Sequence, residues 1–238
     1  MILEDMRNTG VLGNPEEWFV PWASQKPNMN FKQEFSGIFR RATGENDVTS
    51  IKVMANQLID IENGLKTYMR PLPGPRFFRF HHVFQDARWV HIKRQNIVAQ
   101  AISRVMSKQT GINHATASAQ DDHFAGNLLN EYTPSYNAQA QFNYDAILSE
   151  ATSITLENIA WDQFFKDFGI DPLVLSYEDV AQDSDMTHLD KFAQLMNIEE
   201  PINRKPRKMV KVGNQRNLDF EKEFMRVAAE NGFRHLPS

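Results

Sequence analysis

Hydrophobic residues recur along the chain at two spacings, and their alternation predicts an α/β protein. Helical spacing, with apolar residues three and four positions apart, holds over residues 1–9, 56–66, 96–108, 142–168, 179–196 and 218–231. Shorter runs of strand-forming residues lie at 49–54, 89–93 and 172–177. Because strands alternate with helices, the pattern predicts a mainly parallel sheet with helices on both faces.

Polar segments separate these elements. The first helix ends at Gly10, residues 70–76 (RPLPGPR) predict a proline-rich turn, and residues 201–216 predict a basic loop. Residues 111–140 are polar with poor periodicity and predict a long loop, a kind of segment that is usually functional or disordered. With 238 residues and no internal repeat, the chain is expected to form a single domain over 1–238.

Composition narrows the classes of function. The formal net charge is −4, which argues against a general nucleic-acid binder. The absence of cysteine excludes a disulfide scaffold and a cysteine-ligated metal, and it suits the reducing cytoplasm, where we expect the protein. No apolar run reaches about 18 residues, the length of a transmembrane helix. The start MILEDMRNTG lacks the features of a signal peptide.

The segment 89–111 holds the first candidate for chemistry. Arg94 follows a predicted strand, and Ser103 lies on the amphipathic helix that comes next. Ligands of open α/β sheets collect at the carboxyl ends of the strands, and an arginine there can bind a phosphate through two parallel hydrogen bonds. An exposed charge at a strand end is an equally good interpretation of Arg94.

Two adjacent acidic residues form the second candidate. Glu16 and Glu17 point in different directions on any regular backbone, so only one of them is expected to face a cleft. A carboxylate beside the aromatic pair Trp18 and Phe19 can act as a general base. Alternatively, a helix that begins at Pro15 would place both carboxylates in its first turn, where they favour the helix dipole.

Lys52 and the basic loop are candidates for binding anions. Lys52 lies between apolar neighbours in the predicted strand 49–54, so it is expected to reach an open face or an anionic partner. An edge position facing water is the alternative. The segment 204–216 contains six cations and no acidic residue, which suits either a multiply charged anion or a solvated loop.

Motifs for several other chemistries are absent. The histidines, including His81, His82 and the group His114, Asp121, Asp122 and His123, lack metal-ligand spacing, so no metal site is predicted. Neither GxSxG, nor a Walker A sequence, nor GxGxxG occurs. The P-loop kinases are therefore disfavoured as a class.

Five blocks of sequence carry a resemblance to a known family. They are TGVLGNPEEWF (9–19), IKVMANQ (51–57), HIKRQNIVAQAIS with QTG (91–111), ENIAWDQFFKDFGIDPLVLSYEDV (157–180) and GNQRNLDFEKEFMR (213–226). In this order, and over nearly the whole chain, they resemble the bacterial sulfotransferase family that includes trehalose 2-sulfotransferase. The resemblance implies a homodimer with a fold similar to that of nucleotide kinases. It also implies transfer of a sulfuryl group from 3′-phosphoadenosine 5′-phosphosulfate (PAPS) to a hydroxyl of a carbohydrate or glycolipid acceptor, without a metal.

The resemblance further implies roles for individual residues. Arg94 and Ser103 match the pair that holds the 3′-phosphate of the donor, and Arg216 matches an arginine of the loop that closes over the nucleotide. Glu17 matches the general base that takes the proton of the acceptor hydroxyl. Lys52 lies in a motif that resembles a lysine-bearing strand near the acceptor pocket. A carboxylate base with surrounding cations fits an in-line transfer similar to phosphoryl transfer.

The beginning of the chain departs from the family pattern. Family members start with a strand and a loop of the type Ser-x-Arg-Ser-Gly-Ser-Thr, which binds the 5′-phosphosulfate through backbone N–H groups. This chain starts within the helix that follows the loop. We therefore expect a sulfotransferase-like domain that lacks its first strand and phosphate loop, with weak or no activity. The alternative function is a non-catalytic glycan-binding or assembly protein on the same fold.

Overall fold

Helices surround two small sheets in the computed structural model, which describes residues 1–23, 29–71, 73–118 and 128–232. The helices are α1 (Ile2–Thr9), α2 (Val20–Ala23), α3 (Phe31–Ala42), α4 (Leu58–Lys66, preceded by a 3₁₀ turn at Ala55–Gln57), α5 (Phe78–Val83), α6 (Ile97–Thr110), α7 (Tyr144–Phe168), α8 (Tyr177–Gln182), α9 (His188–Met196) and α10 (Gln215–Glu230). The strands are β1 (Val90–Lys93), β2 (His114–Thr116), β3 (Leu128–Leu129), β4 (Leu173–Ser176) and β5 (Met209–Val210). Among the described residues, no helix is long and apolar enough to cross a lipid bilayer.

The parallel pair of β1 and β4 confirms the strands predicted at 89–93 and 172–177. Val90 lies opposite Leu173, and Lys93 lies opposite Ser176. The chain travels from one strand to the other through α6 and α7, since parallel strands need a long crossover. Both strands run in the same direction, so their carboxyl ends lie side by side.

The second sheet is mixed. Its central strand β2 pairs in parallel with β3 and antiparallel with β5. The protein is thus a mixed helix and sheet structure with a small parallel sheet, in agreement with the predicted α/β class. The helices predicted at 1–9, 56–66, 96–108, 142–168 and 218–231 are confirmed as α1, α4, α6, α7 and α10.

The strand predicted at 49–54 is wrong. Within the described residues, this segment makes one β-type bridge, an isolated antiparallel one between Thr49 and Thr43. Further along, the backbone N–H of Lys52 donates to the carbonyl of Glu16 at 3.0 Å. The loop before α2 therefore satisfies a backbone group that the prediction assigned to a sheet, and no ladder forms.

The single helix predicted at 179–196 is also wrong, because the chain breaks it into α8 and α9. The Asp183 carboxylate accepts hydrogen bonds from the backbone N–H of Asp185 at 3.0 Å and from that of Thr187 at 2.6 Å. Met186 adopts a left-handed backbone conformation with φ 53°. A short acidic side chain that bonds nearby N–H groups competes with helical hydrogen bonding, and it ends the helix here.

Segments without a predicted element hold further structure. Helices α2, α3 and α5 were not predicted from the sequence. Strands β2 and β3 lie within the predicted loop 111–140, of which residues 119–127 lie outside the described residues. Strand β5 lies within the predicted basic loop, and α10 begins at Gln215, earlier than the predicted residue 218.

Within the described part of the chain, three clusters of buried apolar residues stabilise the fold, and α7 contributes to two of them. An aromatic cluster packs α2 to α5 against the last turns of α7, where Phe164 and Phe165 lie. A second cluster joins α6 and α10 to the first half of α7 through Ile147 and Ile154. The third cluster packs β4, α8 and α9 together. Helix α7 therefore fixes β1 and α6 relative to the rest of the molecule.

Candidate functional site

The turn of residues 93–96, between β1 and α6, is held by contacts with other elements. The Lys93 ammonium donates to the Asp162 carboxylate of α7 at 2.8 Å. The Asn96 side chain caps α6 by accepting from the Ala99 N–H at 2.8 Å, and its amide donates to Glu221 of α10 at 2.7 Å. Both ends of the turn are thus anchored to helices that come much later in the sequence.

The middle of the turn is held from the neighbouring strand end. The carboxylate of Glu178, at the start of α8, accepts from the backbone N–H of Gln95 and from the hydroxyl of Ser176, both at 3.1 Å. Burial alone would raise the pKa of Glu178, but these hydrogen bonds outweigh burial and hold it below its ordinary value. Glu178 therefore joins the carboxyl ends of β1 and β4 as a carboxylate.

Arg94 keeps its hydrogen-bonding capacity within this otherwise anchored turn. Its guanidinium carbon lies 3.8 Å from the ring centroid of Tyr177, in a cation–π contact. Among the described residues, Arg94 makes no ion pair and donates no side-chain hydrogen bond. A guanidinium carries five N–H donors in a fork that matches a phosphate or sulfate. The structure thus places an oriented and uncommitted cation at the ends of two parallel strands.

Ser103 lies on the helix that begins at this turn. It is partly buried on α6. It lies seven positions after the Asn96 cap, a distance of about 10 Å along the helix axis. No hydrogen bond within the described residues joins Ser103 to Arg94. Its predicted contact with the donor phosphate stays a prediction.

Arg216 lies at the start of α10 and is already engaged. Its Nε–H donates to the carbonyl of Ala140 at 3.1 Å, Nη2 donates to the same oxygen, and the guanidinium lies over the ring of Phe220. The neighbouring Asn214 bonds to Asn137, whose amide also contacts Met106 at the far end of α6. The start of α10 therefore lies beside the second half of α6, which begins directly after Ser103.

Glu16 and Glu17 have different partners and different exposure, and the prediction that only one of them faces a cleft stays a prediction. Glu16 pairs with Arg7 of α1 at 2.5 Å, and its side chain is 13% exposed. Glu17 pairs with Lys52 at 2.6 Å and is 33% exposed. The alternative with both residues in the first turn of a helix is wrong, because α2 begins at Val20.

Lys52 reaches an anionic partner, as predicted, although it does not lie in a strand. The hydrogen bond from its backbone N–H to the Glu16 carbonyl brings its side chain alongside Glu17. The Lys52 ammonium donates a hydrogen bond to Oε1 of Glu17, and no described residue donates to Oε2. This open carboxylate oxygen can accept a proton from a bound hydroxyl.

The six cations of segment 204–216 divide into two groups. Each arginine is committed: Arg204 pairs with Asp190, Arg207 pairs with Asp5, and Arg216 binds a carbonyl. Among the described residues, the lysines at 205, 208 and 211 make no ion pair. The three lysines are also exposed, so their charges are open to solvent, while the arginines of the segment are partly engaged within the fold.

A second charged cluster is centred on a buried carboxylate, that of Asp5. The Asp5 side chain is 0% exposed, and it accepts hydrogen bonds from Arg207 at 2.8 Å and from the His188 ring at 3.1 Å. Burial alone would raise the pKa of Asp5, but the hydrogen bonds from His188 and Arg207 outweigh burial and lower it. This cluster joins α1, α9 and the basic segment.

Sequence reasoning missed four residues that hold the turn of residues 93–96. A signal was present for Tyr177 and Glu178, which lie at the end of a predicted strand just as Arg94 does. No local signal marks Asp162 or Glu221, which are 69 and 125 residues away from their partners. Asp121, Asp122 and His123 lie outside the described residues. In the remainder, no group of three or more acidic or histidine side chains is placed to hold a metal ion.

This geometry is typical of α/β proteins that bind ligands carrying phosphate or sulfate at strand ends. Comparison with known families is more specific, since the family model described as Stf0 sulphotransferase matches residues 1–226. The chain belongs to the Stf0 sulphotransferase family, which confirms the resemblance carried by the sequence blocks. No curated protein matches the chain significantly. Family membership supports a sulfotransferase that takes a sulfuryl donor and an acceptor.

Proposed function

We propose that the protein transfers a sulfuryl group from PAPS to a hydroxyl of a carbohydrate or glycolipid, with trehalose as one candidate acceptor, and that it acts as a cytoplasmic homodimer of single-domain chains. Family membership supports the reaction class. The observation that carries the proposal is the uncommitted Arg94 guanidinium, which is oriented by Tyr177 at the ends of β1 and β4. Its charge and paired donors fit the 3′-phosphate of the donor nucleotide.

Three residues are assigned to the donor. Arg94 binds the 3′-phosphate, and Ser103 adds a hydroxyl donor further along α6. Arg216 covers the nucleotide from the start of α10. Two nitrogens of Arg216 already donate to the Ala140 carbonyl, so Arg216 binds the nucleotide through its remaining N–H groups and its positive charge.

Two residues are assigned to the chemical step. PAPS supplies the sulfuryl group, whose bond to the acceptor oxygen forms as its bond to the donor phosphate oxygen breaks. Glu17 accepts the proton of the acceptor hydroxyl through Oε2, while Oε1 stays paired with Lys52. Lys52 orients the carboxylate, and its positive charge favours the negative charge that develops during transfer.

Calorimetric titration with 3′-phosphoadenosine 5′-phosphate, the product nucleotide, tests the donor site without requiring turnover. We expect saturable binding that Arg94→Ala weakens at least about tenfold, since hydrogen bonds to charged groups contribute about 1.5–3 kcal/mol. Arg226→Ala is the matched control, because this arginine pairs only with surface acids of its own helix. Equal binding by wild type and Arg94→Ala would contradict the site. Glycan binding without turnover would favour the non-catalytic alternative.

A further inference from the structure

The first two residues of α8, which follow β4 directly, contact the turn of residues 93–96. The Tyr177 ring packs against the Arg94 guanidinium, and the Glu178 carboxylate accepts a hydrogen bond from the backbone N–H of the next residue, Gln95. Glu178 is itself oriented by the hydroxyl of Ser176. One dipeptide therefore holds both the side chain and the backbone of the segment that presents the guanidinium.

The position of Glu178 has a consequence for charge. A carboxylate next to an arginine normally pairs with it, and such a pair would consume the donors that a ligand needs. Glu178 instead directs its carboxylate to backbone N–H and hydroxyl donors, and no ion pair joins it to Arg94 within the described residues. The turn thus gains an anionic anchor, and Arg94 keeps its donors free.

We propose that Glu178 is a positioning residue for anion binding by Arg94: it fixes the turn so that the guanidinium stays on Tyr177 with its N–H groups open to the ligand. The inference rests on the proposed function, in which the ligand is the 3′-phosphate of the donor nucleotide. It assigns Glu178 no contact with the ligand itself. Its effect passes through the backbone of Gln95 to Arg94.

The chain offers a matched control in the next residue. Asp179 is an exposed acidic residue in the same first turn of α8, and within the described residues its carboxylate makes no hydrogen bond or ion pair with the turn of residues 93–96. Asp179→Ala and Glu178→Ala remove the same charge from adjacent positions. Glu178→Gln removes the charge but keeps an oxygen that can accept from the Gln95 N–H.

Calorimetry with two nucleotides tests the proposal. The probes are 3′-phosphoadenosine 5′-phosphate and adenosine 5′-phosphate, which lacks the 3′-phosphate. We expect Glu178→Ala to weaken the first nucleotide about tenfold, the size of one or two lost hydrogen bonds, with little change for the second. Glu178→Gln is expected to recover part of the loss, and Asp179→Ala to bind like wild type. Circular dichroism and the thermal midpoint check that each variant folds.

Several results would overturn the proposal. Unchanged or tighter binding of 3′-phosphoadenosine 5′-phosphate by Glu178→Ala would show that the carboxylate does not position Arg94. An equal loss for both nucleotides would indicate a general structural role. If Arg94→Ala loses binding while Glu178→Ala does not, this inference fails and the proposed function stands. If the wild-type chain binds neither nucleotide, both fail.

Discussion

Two arginines show how the same side chain serves the fold in one place and the candidate site in another. Arg207 is committed to the fold through two of its nitrogens: Nε–H and Nη2–H donate to Asp5 at 2.9 and 2.8 Å, and Nη2–H also donates to the Val180 carbonyl at 3.0 Å. Arg94 contacts the face of Tyr177 and donates to no described residue. The two side chains carry the same charge, but among the described residues Arg94 keeps all of its guanidinium N–H donors unbonded, whereas Arg207 uses Nε and Nη2 for the fold. Free donors that are held in place, rather than charge alone, distinguish the candidate site.

The two adjacent glutamates repeat the contrast. Glu16 is paired with Arg7 and is mostly covered, whereas Glu17 keeps one carboxylate oxygen open beside Lys52. In each comparison, the residue that pairs with a charged side chain of α1 stabilises the fold: Arg207 pairs with Asp5, and Glu16 pairs with Arg7. The candidates for chemistry are Arg94 and Glu17, each of which is held by a single described side-chain partner, Tyr177 and Lys52 respectively.

Arg207→Ala is expected to give the largest effect on stability. It leaves the Asp5 carboxylate buried with one partner fewer, which costs about 3–5 kcal/mol of the free energy of unfolding. Arg94→Ala is expected to stay within about 0.5 kcal/mol of wild type, because nothing buried loses a partner. Urea unfolding followed by circular dichroism measures both. Equal destabilisation by the two variants would remove the distinction between the two arginines.

Glu17→Gln is expected to lower turnover at least about a hundredfold, the range typical of a lost general base, with unchanged binding of 3′-phosphoadenosine 5′-phosphate. Assays with PAPS and a panel of glycans, trehalose included, measure turnover. Glu16→Gln is the control, and its effect is expected on stability rather than on kcat. Undiminished turnover in Glu17→Gln would remove Glu17 as the base.

The pH dependence of stability tests the buried member of this comparison, the pair of Asp5 and Arg207. The hydrogen bonds from His188 and Arg207 hold the folded-state pKa of Asp5 below its ordinary value of 3.8, against the opposing effect of burial. The unfolded chain therefore binds more protons between these two pKa values. The Asp5 contribution is present above pH 3.8 and is lost as the pH falls through the lower, folded-state pKa.

Urea unfolding at several values between about pH 6 and about pH 3 tests this behaviour. Asp5→Asn is expected to flatten the acid-induced fall in the free energy of unfolding. Asp190→Asn, which removes an exposed carboxylate paired with Arg204, is expected to keep the wild-type slope. An unaltered slope in Asp5→Asn would contradict the lowered pKa of Asp5.

Tyr177→Leu is expected to give the smallest effect. Loss of the cation–π contact should weaken binding of 3′-phosphoadenosine 5′-phosphate about threefold, since an exposed contact of this kind contributes about 0.5–1 kcal/mol. Tyr177→Phe keeps the ring and is expected to bind like wild type. If Tyr177→Phe were as weak as Tyr177→Leu, the hydroxyl rather than the ring face would support Arg94.

The sequence predicted the parts of the site that depend on neighbours along the chain. The position of Arg94 at the end of a strand was predicted correctly, because the strand, the turn and the Asn96 cap all lie within a few residues, whereas its role in binding stays a prediction. The prediction of a strand around Lys52 was wrong, because the backbone N–H of Lys52 bonds to Glu16. Glu16 lies in a loop far away in the sequence, and hydrophobic periodicity does not reveal such a partner. The break at Asp183 had a local signal, since acidic residues favour turns, but the apolar spacing across 179–196 obscured it.

The anchors of the turn of residues 93–96 also determine when the candidate site can form. Its partners Asp162, Glu178 and Glu221 lie 69, 83 and 125 residues further along the chain. Such distant contacts form late, because long loops must close before they stabilise the chain. During synthesis, the turn stays incomplete until α10 has left the ribosome. Nucleotide binding would then report that a chain is both full-length through α10 and completely folded.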